Sequence, residues 1–495
     1  MGMLTIVHGN CRCTVPAAPG TLLSTLLQQT VPSFALPCSG NHTCGKCRVQ
    51  VQGFVEPPEA EERALLGTAA LSAGIRLACF CHLCGDATVI LEQAHSPAIL
   101  SQSRTPSLVY TETGFGLAVD IGTTTVAMQL FDRASGTILA EQLASNAQGS
   151  FGADVISRIQ ACKSHGLHTL SGRIRGQLAE MAAACMHQAG ISHIAESVVT
   201  GNTTMLHLFE GLDPAPLAVA PFDVPSHFGG SSRHTLAGGP VYLPRCIDAY
   251  VGADTVCAVL AAGLLSGGVQ FLADIGTNGE LALAQNGRLL CCATAAGPAF
   301  EGAGLSCGMP AAAGAIRAVT LEQNEIRCET VQDAPACGIC GSGILDALTV
   351  MLQADVMDDT GFLEEDFALC DNVRITQRDV RQIQLAKAAV CAGMLTLLEH
   401  AALSPDQIKR FCIAGGFGST LNCDSATAIG LFPAALRNKA VFIGNGALGG
   451  ASMLLMNRAL RADSERIARE AAALSLSFNA SFTEHYVACM SFEPF

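Results

Sequence analysis

Leu117-Ala-Val-Asp120-Ile-Gly-Thr-Thr-Thr-Val-Ala-Met-Gln-Leu130 recurs in outline as Leu272-Ala-Asp274-Ile-Gly-Thr-Asn-Gly-Glu-Leu-Ala-Leu-Ala284. Each copy reads as an apolar strand ending on an aspartate, then a tight Gly-Thr turn, then a second apolar strand. The copies lie a subdomain's length apart, which suits two lobes facing one ligand. Small residues in each turn let backbone N–H groups and hydroxyls close around phosphate oxygens. An aspartate at each strand end suits Mg2+ held through water, because Mg2+ gives up its waters reluctantly. Asp120 and Asp274 are therefore expected catalytic residues, with Gly122, Thr123, Thr124, Gly276, Thr277 and Asn278 as expected phosphate contacts.

Ile413-Ala-Gly-Gly-Phe-Gly418 adds a third segment, whose Gly415, Gly416 and Gly418 let backbone pass flat against a base and ribose. In this order the segments resemble the phosphate-1, phosphate-2 and adenosine motifs of the superfamily of acetate and sugar kinases, heat-shock chaperones and actin. The resemblance implies ATP with Mg2+ and a duplicated RNase H-like actin/sugar-kinase ATPase fold. The plain alternative is a set of glycine-rich turns in an unrelated α/β protein. Glu301 follows a Gly-Pro turn and is placed to orient an attacking water; a salt-bridged loop glutamate is the other reading. Asp254 suits the nucleotide's metal or a helix N-cap, and Asn202 suits phosphate or a turn.

Before this pair of lobes, Leu4-Thr-Ile-Val7, Arg48-Val-Gln-Val-Gln52 and Asp86-Ala-Thr-Val-Ile-Leu-Glu92 read as strands, while Thr21–Gln29 and Glu59–Leu71 have helical spacing. That order suits a small β-grasp domain. Between its elements lies Pro37-Cys38-Ser-Gly-Asn-His-Thr-Cys44-Gly-Lys-Cys47, and Arg76-Leu-Ala-Cys79 follows. The pattern resembles the 2Fe-2S ferredoxins, differing from the plant-type spacing by one residue in the first gap. The resemblance implies Cys38, Cys44, Cys47 and Cys79 as ligands, with Gly40 and Gly45 letting backbone N–H groups approach the sulfurs. Cys44-x2-Cys47 with Cys81-x2-Cys84 also makes a zinc pattern, but one that leaves Cys38 and Cys79 without a role. Cys11 and Cys13 read as strand residues, His42 as a solvated loop side chain, and Cys337-x2-Cys340 as core thiols. Arg458, Arg461, Arg466 and Arg469 read as a solvated helix face.

The expected division is a ferredoxin-type domain over 1–92, a Ser/Pro/Thr-rich tether over 93–114, a first ATPase lobe with a middle region over 115–268, and a second lobe over 269–495. Apolar residues make up 49% of the 495, enough to bury several cores. A formal net charge of −14 argues against nucleic acid or an anionic membrane as partner, since both reward lysine and arginine. The start of the chain lacks a basic region followed by an apolar one, and Thr255–Ala273 reads as a buried helix and a strand, not a bilayer span. With 23 cysteines and no export signal, the expectation is a reducing cytoplasm with thiols as ligands or core residues.

Further segments narrow the resemblance. They are Ala144-Ser-Asn146-Ala-Gln148, Phe151-Gly-Ala-Asp154-Val-Ile-Ser-Arg158-Ile159, Gly201-Asn202-Thr-Thr-Met205, Ala220-Pro-Phe222 and Val251-Gly-Ala-Asp254. Gly297-Pro-Ala-Phe-Glu301-Gly, Gly341-Ser-Gly343 and Gly444-Asn-Gly446-Ala complete the set. With the N-terminal cysteines they resemble the reductive activators of corrinoid proteins over nearly the whole chain. That family returns an inactivated Co(II) corrinoid to Co(I) using ATP and an iron–sulfur cluster. It implies a corrinoid protein of a methyltransferase system and a low-potential electron donor as partners, with a homodimer left open. The crowded Cys79-Phe-Cys81-His-Leu-Cys84 departs from the pattern at the fourth ligand, and the compact middle region departs where a partner would dock. Two other classes stay open: an ATP-dependent activator of another low-potential enzyme such as a 2-hydroxyacyl-CoA dehydratase, and a non-redox ATPase with a zinc module.

Overall fold

The computed structural model describes residues 2–8, 11–31, 34, 36, 40, 42, 45, 47–91, 109–276, 278–323, 325–370, 372–416 and 421–495. The chain divides into two compact units: Met1–His95 with Ser145–Gln177, and Ser96–Ala144 with Leu178–Phe495.

In the first unit, β1 (Gly2–His8), β2 (Cys11–Ala17), β3 (Arg48–Val55), β4 (Ile75–Leu77) and β5 (Leu83–Leu91) form one sheet in the order β2-β1-β5-β3-β4. β1 and β5 run parallel, which hairpins alone cannot achieve, and the remaining pairs are antiparallel. The helix α1 (Leu23–Thr30) buries Leu23 and Leu27, one turn apart, in a core with Leu4, Ile6 and Val89. This is the expected β-grasp. The second helix, α2 (Ala60–Ser72), is broken at Gly67 (φ 73°, ψ 167°), where apolar spacing alone reads as continuous. Positive φ is open to glycine at no steric cost, so the chain bends there. The segment Ser145–Gln177 carries α3 (Val155–His165), capped by Asp154, and the start of α4 (Leu167–Ala189). Gln28 Nε2 donates to the Ser150 carbonyl at 2.9 Å within this unit.

The second unit holds two six-stranded sheets. The first contains β6 (Phe115–Ile121), β7 (Thr125–Asp132), β8 (Thr137–Ser145), β9 (Glu196–Gly201), β10 (Gly230–Leu236) and β11 (Gly239–Leu243), in the order β10-β11-β9-β6-β7-β8. The second contains β12 (Gln270–Ile275), β13 (Gly279–Gln285) and β14 (Arg288–Thr294). Its order is β21-β20-β12-β13-β14-β22, with β20 (Arg410–Gly415), β21 (Ala440–Gly444) and β22 (Ala472–Ala473). Smaller sheets of β15 (Ala315–Glu322), β16 (Glu325–Thr330) and β17 (Gly338–Ile339), and of β18 (Phe367–Cys370) and β19 (Val373–Ile375), elaborate it.

The duplication is visible in the register. In one copy Asp120 pairs with Ala127 on an antiparallel neighbour and with Thr200 on a parallel one. In the other, Asp274 pairs with Glu280 and Ala414 in the same two senses. Helices α5 (Thr203–Glu210), α6 (Ala253–Ala262), α7 (Gly341–Gln353), α8 (Gln377–His400), α9 (Cys423–Ala428), α10 (Gly446–Met456), α11 (Leu460–Glu470) and α12 (Ala480–Ala488) cover the sheets. All residues of α10 are buried, and a Cβ at Gly450 would collide with the backbone of Cys257 on α6. Glycine is therefore required where these helices cross.

Two surface expectations are corrected. Arg466 and Arg469 are exposed, but Arg461 lies over the Tyr242 ring and bonds Glu196 at 2.8 Å, a carboxylate it shares with Arg133 and Arg458. Arg458, just before α11, is exposed like Arg466 and Arg469, whereas Arg461 in its first turn is partly buried. Of the expected core thiols, Cys340 is buried and Cys337 is exposed. Among the described residues, no helix is long and apolar enough to cross a membrane.

Candidate functional site

Both repeated turns open onto one cleft in the second unit. Asp120, Gly122, Thr123, Thr124, Asn202, Asp254, Asp274, Gly276, Asn278, Glu301, Gly415 and Gly416 all line it. The expected contacts Thr277 and Gly418 lie outside the described residues, as do Cys38, Cys44 and most of the tether. Each aspartate arrives on the penultimate residue of a strand, so its side chain leaves the sheet at the mouth of the turn. Gly415, at φ 92°, ends the parallel neighbour of β12; a Cβ there would come within 2.7 Å of Asp274 Oδ1. Only glycine lets that strand end beside the carboxylate.

Hydrogen bonds tie the turns to the helices around them. Asn202 caps α5 by accepting from the Met205 amide at 2.9 Å, and its Nδ2 donates to Thr123 Oγ1 at 3.0 Å. Asn202 is thus a helix cap that also braces the first repeated turn. Thr124 Oγ1 donates to Glu301 Oε2 at 2.9 Å, joining the first turn to the second copy. Asp254 is not the N-cap of α6, a position held by Gly252; it sits in the first turn with Oδ1 accepting from the Thr255 amide at 2.7 Å.

Asn445 and Glu280 are among the lining residues that were not expected, with Thr125, Ala127 and Ala447. Asn445 caps α10 through the Leu448 amide and donates from Nδ2 to Asp120 Oδ2 at 2.9 Å. The Gly444-Asn445 step repeats Gly201-Asn202, a signal the sequence did carry. Glu280 pairs with Asp274 as Ala127 pairs with Asp120, so the second copy has a carboxylate where the first has a buried alanine, itself a sign of a ligand.

The electrostatics follow from crowding. Burial, with the charges of Asp254, Asp120 and Glu301, pushes Asp274 up to about 8. Burial pushes Asp120 up to about 7 despite the Asn445 hydrogen bond, and Asp254 up to about 6. Burial and the charges of Asp254 and Asp274 drive Glu280 well above the usual carboxylate range. Among the described lining residues none is basic, so these carboxylates fit a divalent cation. No three of the described His, Cys, Asp and Glu residues are grouped to hold an ion directly.

In the first unit, Cys47 and Cys79 are both buried with Sγ atoms 3.3 Å apart. The hydrogen bond they share pulls the Cys47 thiol down to about 7. Two converging thiols, one easily ionised, fit a metal cluster. Cys81 is fully buried and burial pushes it up to about 11, while Cys84 is exposed. The loop that presents Cys79 is anchored on all sides. The Ala78 amide donates to the Cys47 carbonyl, and the carbonyls of Ala78 and Cys81 accept from Ser24 and Leu23 at the start of α1. Arg76 forms a buried bidentate pair with Glu62 at 2.8 and 2.9 Å, and Glu62 also accepts from the Leu77 amide. His42 stacks on Phe80, with ring centres 4.0 Å apart. Glu62→Ala should leave the buried guanidinium unpaired and cost about 3–5 kcal/mol. A thermal scan of the N-terminal unit should show it, and an unchanged midpoint would mean the pair holds nothing.

Duplicated sheets meeting at one carboxylate-lined cleft, on a chain with a thiol-bearing β-grasp unit, define the class: an actin-like ATPase fold joined to a ferredoxin-type domain. A family model described as the C-terminal domain of RACo, the ASKHA domain, matches residues 268–494, and one described as the RACo middle region matches 115–266. The corrinoid activation enzyme RamQ of Eubacterium limosum is 33% identical over 75% of this chain and 69% of its own length. The [Co(II) methylated amine-specific corrinoid protein] reductase of Methanosarcina barkeri is 25% identical over 61% of this chain and 63% of its own. A solved reductive activator for corrinoid, iron-sulfur protein superposes with a TM-score of 0.72 at 27% identity, over 99% of this chain and 98% of that one. The chain belongs to the RACo family, the reductive activators of corrinoid proteins that its segments resemble.

Proposed function

We propose that this chain is an ATP-dependent reductive activator of a corrinoid protein, returning its cobalt from Co(II) to Co(I) with an electron from a low-potential donor. The observation that carries the reading is the cleft where both Asp-Ile-Gly-Thr turns, Asn202, Asp254, Glu301 and Gly415–Gly416 meet, on a chain whose N-terminal unit pairs two buried thiols. The names of the relatives support the corrinoid partner. In this reading 1–92 is the ferredoxin-type domain, 93–114 the tether, and 115–268 and 269–495 the ATPase lobes.

The backbone of Gly122–Thr124, Gly276 and Asn278 binds the phosphates of ATP, and Gly415–Gly416 leave room for the nucleoside. Asp120, Asp254 and Asp274 orient the waters of Mg2+. Asn445 fixes the rotamer of Asp120, and Asn202 that of Thr123. Glu301, held by Thr124, accepts a hydrogen bond from the attacking water. Cys47 and Cys79 would hold a 2Fe-2S cluster together with Cys38 and Cys44; when bound, it supplies a one-electron centre near about −400 mV.

The Co(II)/Co(I) couple lies lower, as the family implies. For one electron each ~59 mV uphill is a tenfold loss, so a gap of about 120 mV costs roughly 2.7 kcal/mol. ATP offsets that only if the nucleotide changes the protein's affinity for one state of its partner. Closure of the duplicated lobes on Mg2+-ATP is the element that can do so.

The test mixes the purified chain with a Co(II) corrinoid protein and a chemical reductant under anaerobic conditions, reading Co(I) absorbance with and without Mg2+-ATP. Reduction should require ATP. Reduction at the same rate without it would make the ATPase half regulatory and end the driving-force reading.

A further inference from the structure

Away from the cleft, α8 carries Gln384, Lys387 and Cys391 along one buried stripe. The stripe grips the end of α12 and the tail beyond it. Gln384 Nε2 donates to the Met490 carbonyl at 2.7 Å, and Lys387 Nζ to the Cys489 and Ser491 carbonyls at 2.7 and 2.6 Å. The ammonium also lies 5.0 Å from the centre of the buried Phe492 ring. One turn along from Lys387, Cys391 Sγ is 2.9 Å from Cys489 Sγ. None of these groups lines the nucleotide cleft.

Two packed thiols need no charge beside them, yet a wholly buried lysine is there. A buried ammonium is costly unless an acceptor or an anion compensates it, and here two backbone carbonyls accept from it. The pair is also asymmetric. The hydrogen bond with Cys391 and the Lys387 charge hold the Cys489 thiol below its ordinary value, while burial pushes Cys391 well up. Cys489 is 5% exposed and Cys391 0%. The helix before Cys489 buries none of its own residues, with Val487 68% exposed, so it is the outermost layer over the pair. Local opening of such a helix is the cheapest way to bring Cys489 to solvent.

We propose that Cys391 and Cys489 form a thiol–disulfide modification site, closed by a low-molecular-weight disulfide into a bridge that fastens α12 to α8. The Cys489 thiolate attacks one sulfur of the reagent; the reagent's S–S bond breaks and its other half leaves as a thiolate. Cys391 then gives up its proton and attacks Cys489 Sγ, expelling the second half. One reagent disulfide becomes two thiols, two cysteine thiols become one disulfide, and both protons end on the expelled thiolates.

The test uses the full-length, cluster-loaded protein, reduced and desalted anaerobically, then incubated with oxidised glutathione. Free thiols are alkylated under denaturing conditions and the peptides mapped without reduction. The Cys391 and Cys489 peptides should be recovered joined, with alkylation lost at both, while Cys257 and Cys292 remain alkylated. Chymotrypsin cleavage after the fully exposed Phe478 should release the C-terminal segment from reduced protein, and from oxidised protein only after dithiothreitol. In Cys391→Ser, glutathione should remain attached to Cys489 because nothing displaces it. Complete alkylation of both cysteines in the wild type after oxidation would overturn the proposal, and so would a persistent glutathione adduct in place of the bridge. The wild-type map decides the matter even if the variant does not fold.

Discussion

Asp274→Asn is expected to lower ATP turnover by about a thousandfold while raising the melting temperature of the nucleotide-free protein. The change keeps the side chain's size and removes its charge. Lost ordering of Mg2+ and the γ-phosphate, at about 4 kcal/mol, accounts for three orders of magnitude. Stability moves the other way because Asp274 sits among Asp120, Asp254, Glu280 and Glu301, where its charge is repelled and poorly solvated. Inorganic phosphate release and a thermal scan on the same sample test both halves. Turnover within about tenfold of wild type would remove Asp274 from the phosphate site. A lower melting temperature would mean the carboxylate is a structural anchor.

The same crowding sets a pH dependence whose sign can be worked out. Asp120, Asp254 and Asp274 are pushed up to about 7, 6 and 8 in the fold, against an unfolded aspartate near about 3.9. The fold therefore binds protons more tightly than the unfolded chain. The stability this contributes is complete below the unfolded value and is lost progressively as pH rises from about 4 through the folded values, up to about 8. Without ligand, the melting temperature should fall across that window. Mg2+-ATP favours the ionised carboxylates, so the stabilisation it gives should be larger at the upper end. In Asp274→Asn the upper part of the fall should flatten.

How much of this was legible beforehand depended on whether a residue's job is local. The two Asp-Ile-Gly-Thr turns announce themselves because a strand and a tight turn are both set by a few consecutive residues. The β-grasp sheet was readable for the same reason, although the break of α2 at Gly67 was not, since helical spacing continues across it. Asn445 escaped notice as a site residue because its value lies in reaching Asp120 from far along the chain. Glu280 was hidden by being read as part of an apolar strand. Arg461 was misplaced because a charged helix looks solvated unless one knows that Glu196 and Tyr242 lie beneath it. The pairing of Cys391 with Cys489 is of the same kind, made by two helices that no motif connects.

The largest effect should come from the N-terminal cysteines. Cys79→Ser is expected to abolish the visible absorbance and bound iron of the purified protein, and Cys47→Ser should do the same. Cys81→Ser and Cys84→Ser should keep both. The geometry separates the candidates for the fourth ligand. Cys79 brings its sulfur to 3.3 Å from Cys47, on a loop held by α1 and by the Glu62–Arg76 pair. Cys81 turns into the hydrophobic core, where burial favours a neutral thiol, and Cys84 is exposed on β5. A thiolate ligand must ionise as it binds, which the Cys47–Cys79 pair eases and the surroundings of Cys81 oppose. Serine offers a harder oxygen that clusters of this type hold poorly, so loss of any one ligand should bleach the protein. A colourless wild type carrying zinc that disappears in Cys81→Ser and Cys84→Ser would reverse the assignment, because those two cysteines complete the alternative C-x2-C pair with Cys44 and Cys47. Bleaching by Cys81→Ser with Cys79→Ser still coloured would keep the cluster and move its fourth ligand two residues along.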